Sequence, residues 1–509
     1  MQKYHVSIIP NKEIFSTQIY FMKLSKKITL LNVFIFLAIV AIIVSFLWFD
    51  VYELDDYFQS FFYSKSIRQL LYHADHAKFL SVILMKSVCH GTSVLMKINP
   101  NDNVIPRIVI GMDFAILSYL YAKLVAISGK QRLIKPSIYL SFFIGVIGLT
   151  LVHSDYLVRW NQHFEYIFVF IIFLLFFNRV AYYFFNNKLP QARDSLKNSI
   201  IFLAFGVSSY VNLFVGALVL LGIFLYYKQK YTLNYKELLV SEKYSYVRIP
   251  LLLLIAASFA IFMNPCLHII TEARLGGKFN LLEFLYYWSK SMFLNPTAII
   301  LNLLYVTLLI VVLKKYNKNT RQVWLSTSLI IASMLFQFFL GGLGKTCKFG
   351  DYWVSFERVY LMHYYFVLMG IAILVGPIKK QATKVLLTIS FLVAIYTLPK
   401  FVDMYKYSKH LRREMYMIVK AENFYINKKA EFAPVPLQYV NWGVYTGFSK
   451  NDTNWCMLDF YLNFKRVYKK KALKFKFYET DEFLEKAKKD GLIFTQQELA
   501  NPKFTNLMD

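Results

Sequence analysis

Four acids fall within eight residues at Asp50, Glu53, Asp55 and Asp56, directly after the first long apolar run, with Tyr57 closing the cluster. Hydrocarbon does not accept such a concentration of charge, so the cluster must lie in the aqueous layer beside a membrane. Adjacent carboxylates such as Asp55 and Asp56 can work as a general base, or can hold a metal or a sugar. Asp75 and Lys78 follow in the same segment. Three later segments between apolar runs carry comparable groups: Asp155, Arg159, Trp160, His163 and Glu165; then His268, Glu272 and Arg274; then Asp351, Glu357 and Arg358. A carboxylate can take the proton of an acceptor hydroxyl while arginines neutralise a departing phosphate or pyrophosphate. The faces of Tyr57 and Trp160 can stack on a sugar ring.

Each group also has a plainer reading. Acids after a first span enforce orientation, and arginines such as Arg274 and Arg358 can snorkel to headgroups. His163 and Glu165 can form an interfacial hydrogen-bonded pair. Asp113, inside an apolar run, reads as a buried group with a pairing partner before it reads as an ion site. His73, Asp75 and His76 have a spacing able to hold a divalent cation, the one cofactor the sequence suggests. Cys89, Cys266, Cys347 and Cys456 form no CxxC motif; three pairings are open in principle, and unpaired thiols are the favoured reading.

The elements that must position these groups are apolar. The chain has 509 residues, 57% hydrophobic and 17% charged, and a mean hydropathy of +0.42. A soluble domain carries about 25% charged residues. Apolar windows of about 17–25 residues recur, each long enough to cross a bilayer. A net charge of +28 can indicate nucleic acid. Here, however, the basic residues sit in short loops between apolar runs, the positive-inside pattern, so nucleic acid is not an expected partner.

The expected fold class is therefore an all-α polytopic membrane protein of about 11 transmembrane helices. Residues 1–27 form a cytoplasmic segment and 28–399 the transmembrane domain. Spans are expected at about 28–49, 105–128 and 136–153, with a fourth returning near Arg179. Residues 198–227 read as two short helices turning near Gly206, Ser208, Ser209 and Asn212. Further spans follow at about 249–266, 296–313, 323–343, 358–377 and 383–399. Residues 50–104 make an extracytoplasmic acidic loop containing an interfacial helix, Lys78 to Ile98, and Glu283 to Phe293 reads as another. Residues 400–509 read as a small extracytoplasmic domain whose basic stretch, Lys465 to Lys476, reads as a solvated face ahead of a contact with anionic headgroups. The first apolar run lacks a cleavage site and reads as a retained span.

Several short motifs accompany this layout: Asp55-Asp56-Tyr57 followed by Asp75-His76-Ala77-Lys78-Phe79-Leu80, Trp160 with Glu165-Tyr166, Asn264-Pro265 followed by Arg274, Arg358 opening a late span, and Asn454-Trp455 with Phe460-Tyr461. The whole resembles the GT-C superfamily of integral membrane glycosyltransferases, and is similar to those that decorate O-antigen from a lipid-linked glucose. Two motifs depart from the pattern. His76-Ala77-Lys78 stands where a small residue and an arginine are usual, and Asn264-Pro265-Cys266 matches a Pro-Gly-Asn style motif only loosely.

The resemblance implies a multi-pass protein of the cytoplasmic (inner) membrane, with its N-terminus inside and its C-terminus outside. It would transfer a sugar from a polyprenyl-phosphate-linked donor to a glycan or lipid acceptor of the cell envelope, at the extracytoplasmic face and among membrane lipids. Asp55 or Asp56 would be the base, with inversion at the anomeric carbon. Arg274 and Arg358 would contact the donor phosphate, while Trp160, His163 and Glu165 shape the sugar pocket. Glu53, Tyr57, Asp75, Lys78 and Asp155 complete the implied substrate-binding set. Rival readings are a transporter or flippase of lipid-linked sugars, which would place charge at mid-membrane in repeated, broken helices, an O-antigen-type polymerase, and a non-catalytic scaffold.

Overall fold

The computed structural model describes residues 12–46, 104–152, 163–186, 194, 197, 210–231, 234–262, 281–289, 293, 296–315, 320–345, 357–378, 381–436 and 473–502. These residues are mostly helical. The helices are α1 (Lys12–Phe46), α2 (Val104–Ser128), α3 (Pro136–Val152), α4 (Val169–Asn186, entered through a π-helical segment, His163–Phe168), α5 (Tyr210–Tyr231), α6 (Tyr235–Val240), α7 (Ser245–Phe262), α8 (Leu281–Ser289), α9 (Pro296–Lys315), α10 (Thr320–Lys345), α11 (Glu357–Val375), α12 (Ala382–Asn427), α13 (Thr480–Lys489) and α14 (Gln496–Ala500).

Among the described residues four stretches are long and apolar enough to cross a membrane: Lys26–Ser45, Arg107–Ser128, Val169–Asn186 and Thr383–Asp403. Shorter apolar helices include Pro136–Thr150, Ala298–Lys314 and Met362–Ile378. A helix satisfies its own backbone, the condition for entering hydrocarbon. Hydroxyls within the helices follow suit: Ser118 donates to the Phe114 carbonyl and Thr150 to that of Val146, each at 2.7 Å.

Side-chain contacts fix the direction of each helix. Asn32 of α1 donates to the Ile134 carbonyl just past α2, while Val40 lies against Gly111, so α1 and α2 are antiparallel. Gln322 of α10 donates to the Ser128 carbonyl and its neighbour Arg321 to that of Phe184, at 3.1 and 2.9 Å. The end of α2, the end of α4 and the start of α10 therefore share one level. Trp324 bonds the Gly222 carbonyl, and Phe214 meets Phe336, so α5 runs toward that same end. The Tyr246 and Tyr227 hydroxyls, 2.6 Å apart, place the start of α7 there as well.

Lys130, Arg132, Lys230, Lys243 and Arg321 all gather at this level, which we term the basic end. Helices α2, α4, α5, α9 and α11 run toward it; α1, α3, α7, α10 and α12 run away. Of the expected pair of helices over 198–227, the described part is α5 from Tyr210, which has Asn212 inside it and not at a turn. Residues 198–209 lie outside the described residues.

Glycine sets the closest approach. A Cβ on Gly376, just past α11, would lie 2.0 Å from Ser128 Oγ and 2.6 Å from the Gly129 nitrogen, so only glycine lets α11 meet the end of α2. Aromatics fill the centre, with Phe170 stacked on Tyr365 at 5.3 Å and edge-on to Phe366 at 5.2 Å.

Two expectations are corrected. The span expected to end at 399 belongs to a helix that passes through Pro399 and continues to Asn427, so the domain boundary drawn at 400 falls inside α12. The change of composition there marks a change of surroundings, and a helix needs no break to leave an apolar layer. The fold is also not all-α. Strands β1 (Phe432–Pro436) and β2 (Lys474–Tyr478) pair in parallel, with Phe432 opposite Lys474. Among the described residues each strand has one neighbour, so Pro434 and Pro436 are tolerated. These strands, α13 and the tail of α12 enclose a second core that includes Tyr416, Ile418, Val435 and Phe483.

The expected interfacial helix at 283–293 corresponds to α8, which exposes Leu282 and Tyr286 while Trp288 packs on Phe338. The one expected at 78–98 lies outside the described residues.

Candidate functional site

The described part of the site opposite the basic end is built on α2, α4 and α11. Asp113 is the one acid of α2, and His163 is the first residue of the π-helical segment leading into α4. His163 Nε2 and Asp113 Oδ2 are 3.0 Å apart, with both residues buried. The Phe114 ring flanks the imidazole at 5.3 Å. The reading of Asp113 as a buried group with a partner is thus met by His163. His163 is accordingly not an open-loop residue: the helical turn carries it into the bundle. The Glu165 backbone belongs to the same segment, and its side chain lies outside the described residues.

Helices α2 and α11 run parallel in a constant register. The Tyr121 hydroxyl donates to the Tyr365 carbonyl at 2.9 Å, and Ser128 Oγ reaches the Ala372 carbonyl at 3.4 Å, both pairs being 244 positions apart. Seven residues back from the first pair stand Phe114 and Arg358, about 10 Å along the helix axes. The Arg358 backbone is therefore level with the Asp113–His163 pair, at the second position of α11.

Asp55, Asp56, Glu53, Tyr57, Asp75, Lys78, Asp155, Trp160 and Arg274 lie outside the described residues, as do the four cysteines and the His73, Asp75 and His76 group. The described helix ends that flank them are informative. Phe46 and Val104, Val152 and His163, and Lys345 and Glu357 all lie away from the basic end, by the helix directions above. The described helix ends that flank segments 47–103, 153–162 and 346–356 thus share one end of the bundle. Among the described residues no group of three His, Cys, Asp or Glu is placed to hold a metal ion.

Sequence reasoning did not single out Arg107, which is only 3% exposed near the start of α2. Its signal was available, since a guanidinium within an apolar run needs a buried counterpart. Asp113 is also less isolated at depth than the sequence suggests. His363 of α11 is fully buried, with its Nδ1 2.8 Å from Ser333 Oγ.

No family model, curated protein or solved structure matches this chain.

Proposed function

We propose that this chain is a polytopic membrane glycosyltransferase of the GT-C type with about 11 spans, moving a sugar from a polyprenyl-phosphate-linked donor to a glycan or lipid acceptor at the extracytoplasmic face. The observation that carries the reading is the common end. The helix termini flanking segments 47–103, 153–162 and 346–356 lie together, and those segments hold Asp55, Asp56, Asp155, Trp160 and Asp351. Arg358 begins a helix at the same level as Asp113 and His163. An acid able to take a proton, arginines able to meet phosphate and aromatic faces able to hold a sugar thus have one place to converge.

In this reading Asp55 or Asp56 deprotonates the acceptor hydroxyl, which attacks the anomeric carbon as the phosphate departs toward Arg274 and Arg358. The Asp113–His163 pair braces the helix starts beneath. The basic end faces the cytoplasm, as the distribution of Lys and Arg in short loops favours.

One observation favours a second reading. A buried Asp–His pair inside a bundle also suits proton-coupled transport of a lipid-linked sugar. Sealed vesicles separate the two. Incubated with a labelled polyprenyl-phosphate hexose and with all ion gradients collapsed, a transferase still moves label onto acceptor, whereas a proton-coupled carrier leaves the donor intact and stops.

A further inference from the structure

At the basic end, opposite the site above, α1, α2, α4 and the turn after α2 line a half-open cavity of about 1130 Å³. Among the described residues its cationic lining is Lys123, Lys130, Arg132 and Arg179, against one lining acid, Asp194. The Tyr183 hydroxyl already bonds Asp194. Lys123 and Arg179 come close enough for their like charges to act on each other. Lys123 has no carboxylate partner among the described residues. Lys123, Lys130 and Arg132 are exposed, and an anion among these cations would offset their mutual repulsion.

Two amides point to the rest of the ligand. Asn178, 1% exposed, donates through Nδ2 to the Leu120 and Leu174 carbonyls, which leaves its Oδ1 buried without a partner. Asn32 donates to the Ile134 carbonyl and is left with an unfilled Oδ1 in the same way. Both residues line the cavity. An unfilled buried acceptor is costly, and a ligand hydroxyl would satisfy it. Val33, Phe36, Ile116 and Ile127 supply an apolar wall. The α1 side abuts a helix that exposes Leu30, Phe34 and Leu37 by 60–71%, a surface suited to lipid.

We propose that this cavity binds the phosphate headgroup of an anionic membrane lipid. The phosphate sits among Lys123, Arg179, Lys130 and Arg132, headgroup hydroxyls donate to Asn32 and Asn178, and the chains lie along Val33 and Phe36. The binding is independent of glycosyl transfer.

The test uses the purified full chain in detergent, with lipid retention read by native mass spectrometry. Phosphatidylglycerol is compared with phosphatidylcholine, and glycerol 3-phosphate serves as the soluble source of the same chemistry. Phosphatidylglycerol should be held at least about tenfold more tightly than phosphatidylcholine, and excess glycerol 3-phosphate should not displace it. Lys123→Gln with Arg179→Gln should lose about tenfold in retention, while Lys314→Gln, on exposed α9 surface, should lose nothing. If the double variant fails to fold, Lys130→Gln with Arg132→Gln, both on exposed positions of the turn, should show the same loss. Equal retention of the two lipids, full retention by folded charge variants, or glycerol 3-phosphate binding as tightly as the lipid would each overturn the assignment.

Discussion

His163 Nε2 stands 3.0 Å from Asp113 Oδ2, with the imidazole fully shielded and the carboxylate only 6% accessible. This contact joins the start of the α4 segment to α2, two helices that both run toward the basic end. It therefore sets the first residue of the π-helical segment entering α4 at the level of Asp113 on α2.

Removing one partner leaves a buried polar group unsatisfied. Asp113→Leu or His163→Leu should each destabilise the protein by about 1–3 kcal/mol. The double variant should cost less than the sum of the two, a coupling of about 0.5–3 kcal/mol. Thermal unfolding of the four purified proteins reads the cycle, and strictly additive losses would show that the pair does not interact.

The meeting of α2 and α11 depends on the absence of a side chain at Gly376. Gly376→Ala would put a methyl 2.0 Å from Ser128 Oγ and 2.8 Å from the Val125 carbonyl oxygen. The helices must part, at a cost of about 1–3 kcal/mol. Gly145, whose added Cβ meets nothing within 4 Å, is the matched control. A lowered midpoint for Gly376→Ala beside an unchanged or raised one for Gly145→Ala is the expected pair of results.

Much of this architecture could be read from residue order. Pro296 opens α9 where the sequence expects a helix to begin, because proline is at home in a first turn. The basic loops meet at one end because each short loop joins helices of opposite direction. Asp113 announced a buried partner, as a lone acid in an apolar run must have one. Other features were hidden for physical reasons. Composition changes at 400 because the surroundings change, yet α12 keeps its own hydrogen bonds and runs on to Asn427. His163 looked like a loop residue because nothing local reveals that the turn rotates it inward. The cavity at the basic end joins Asn32, Lys123 and Asn178, whose separations in sequence carry no motif.

The C-terminal unit offers a pH test. Glu498 accepts from Lys420 at 2.8 Å and from the Thr495 backbone at 2.9 Å. The Lys420 hydrogen bond, then that backbone bond, pull its carboxyl down to about 2. A depressed carboxyl stabilises the fold above its unfolded value and loses that contribution as pH falls through the folded one, here from about 4.5 to about 2. Half-exposure and screening keep the contribution below about 1 kcal/mol. Amide exchange at 495–500 should therefore quicken as pH is lowered across this window, after correction for intrinsic rates. Lys420→Met should remove most of the pH dependence, and an unchanged profile in that variant would contradict the assignment.

The central claim is transfer of a sugar by a carboxylate base, and the direct measurement is single-protein transfer in liposomes. The purified chain is reconstituted without any ion gradient and given a labelled polyprenyl-phosphate hexose together with envelope acceptor. The wild-type protein should move label to acceptor. Asp55→Asn with Asp56→Asn, folded by its thermal midpoint, should fall by at least about 100-fold. Transfer at the wild-type rate by the Asn variant, or no transfer by the wild-type protein, would contradict the account.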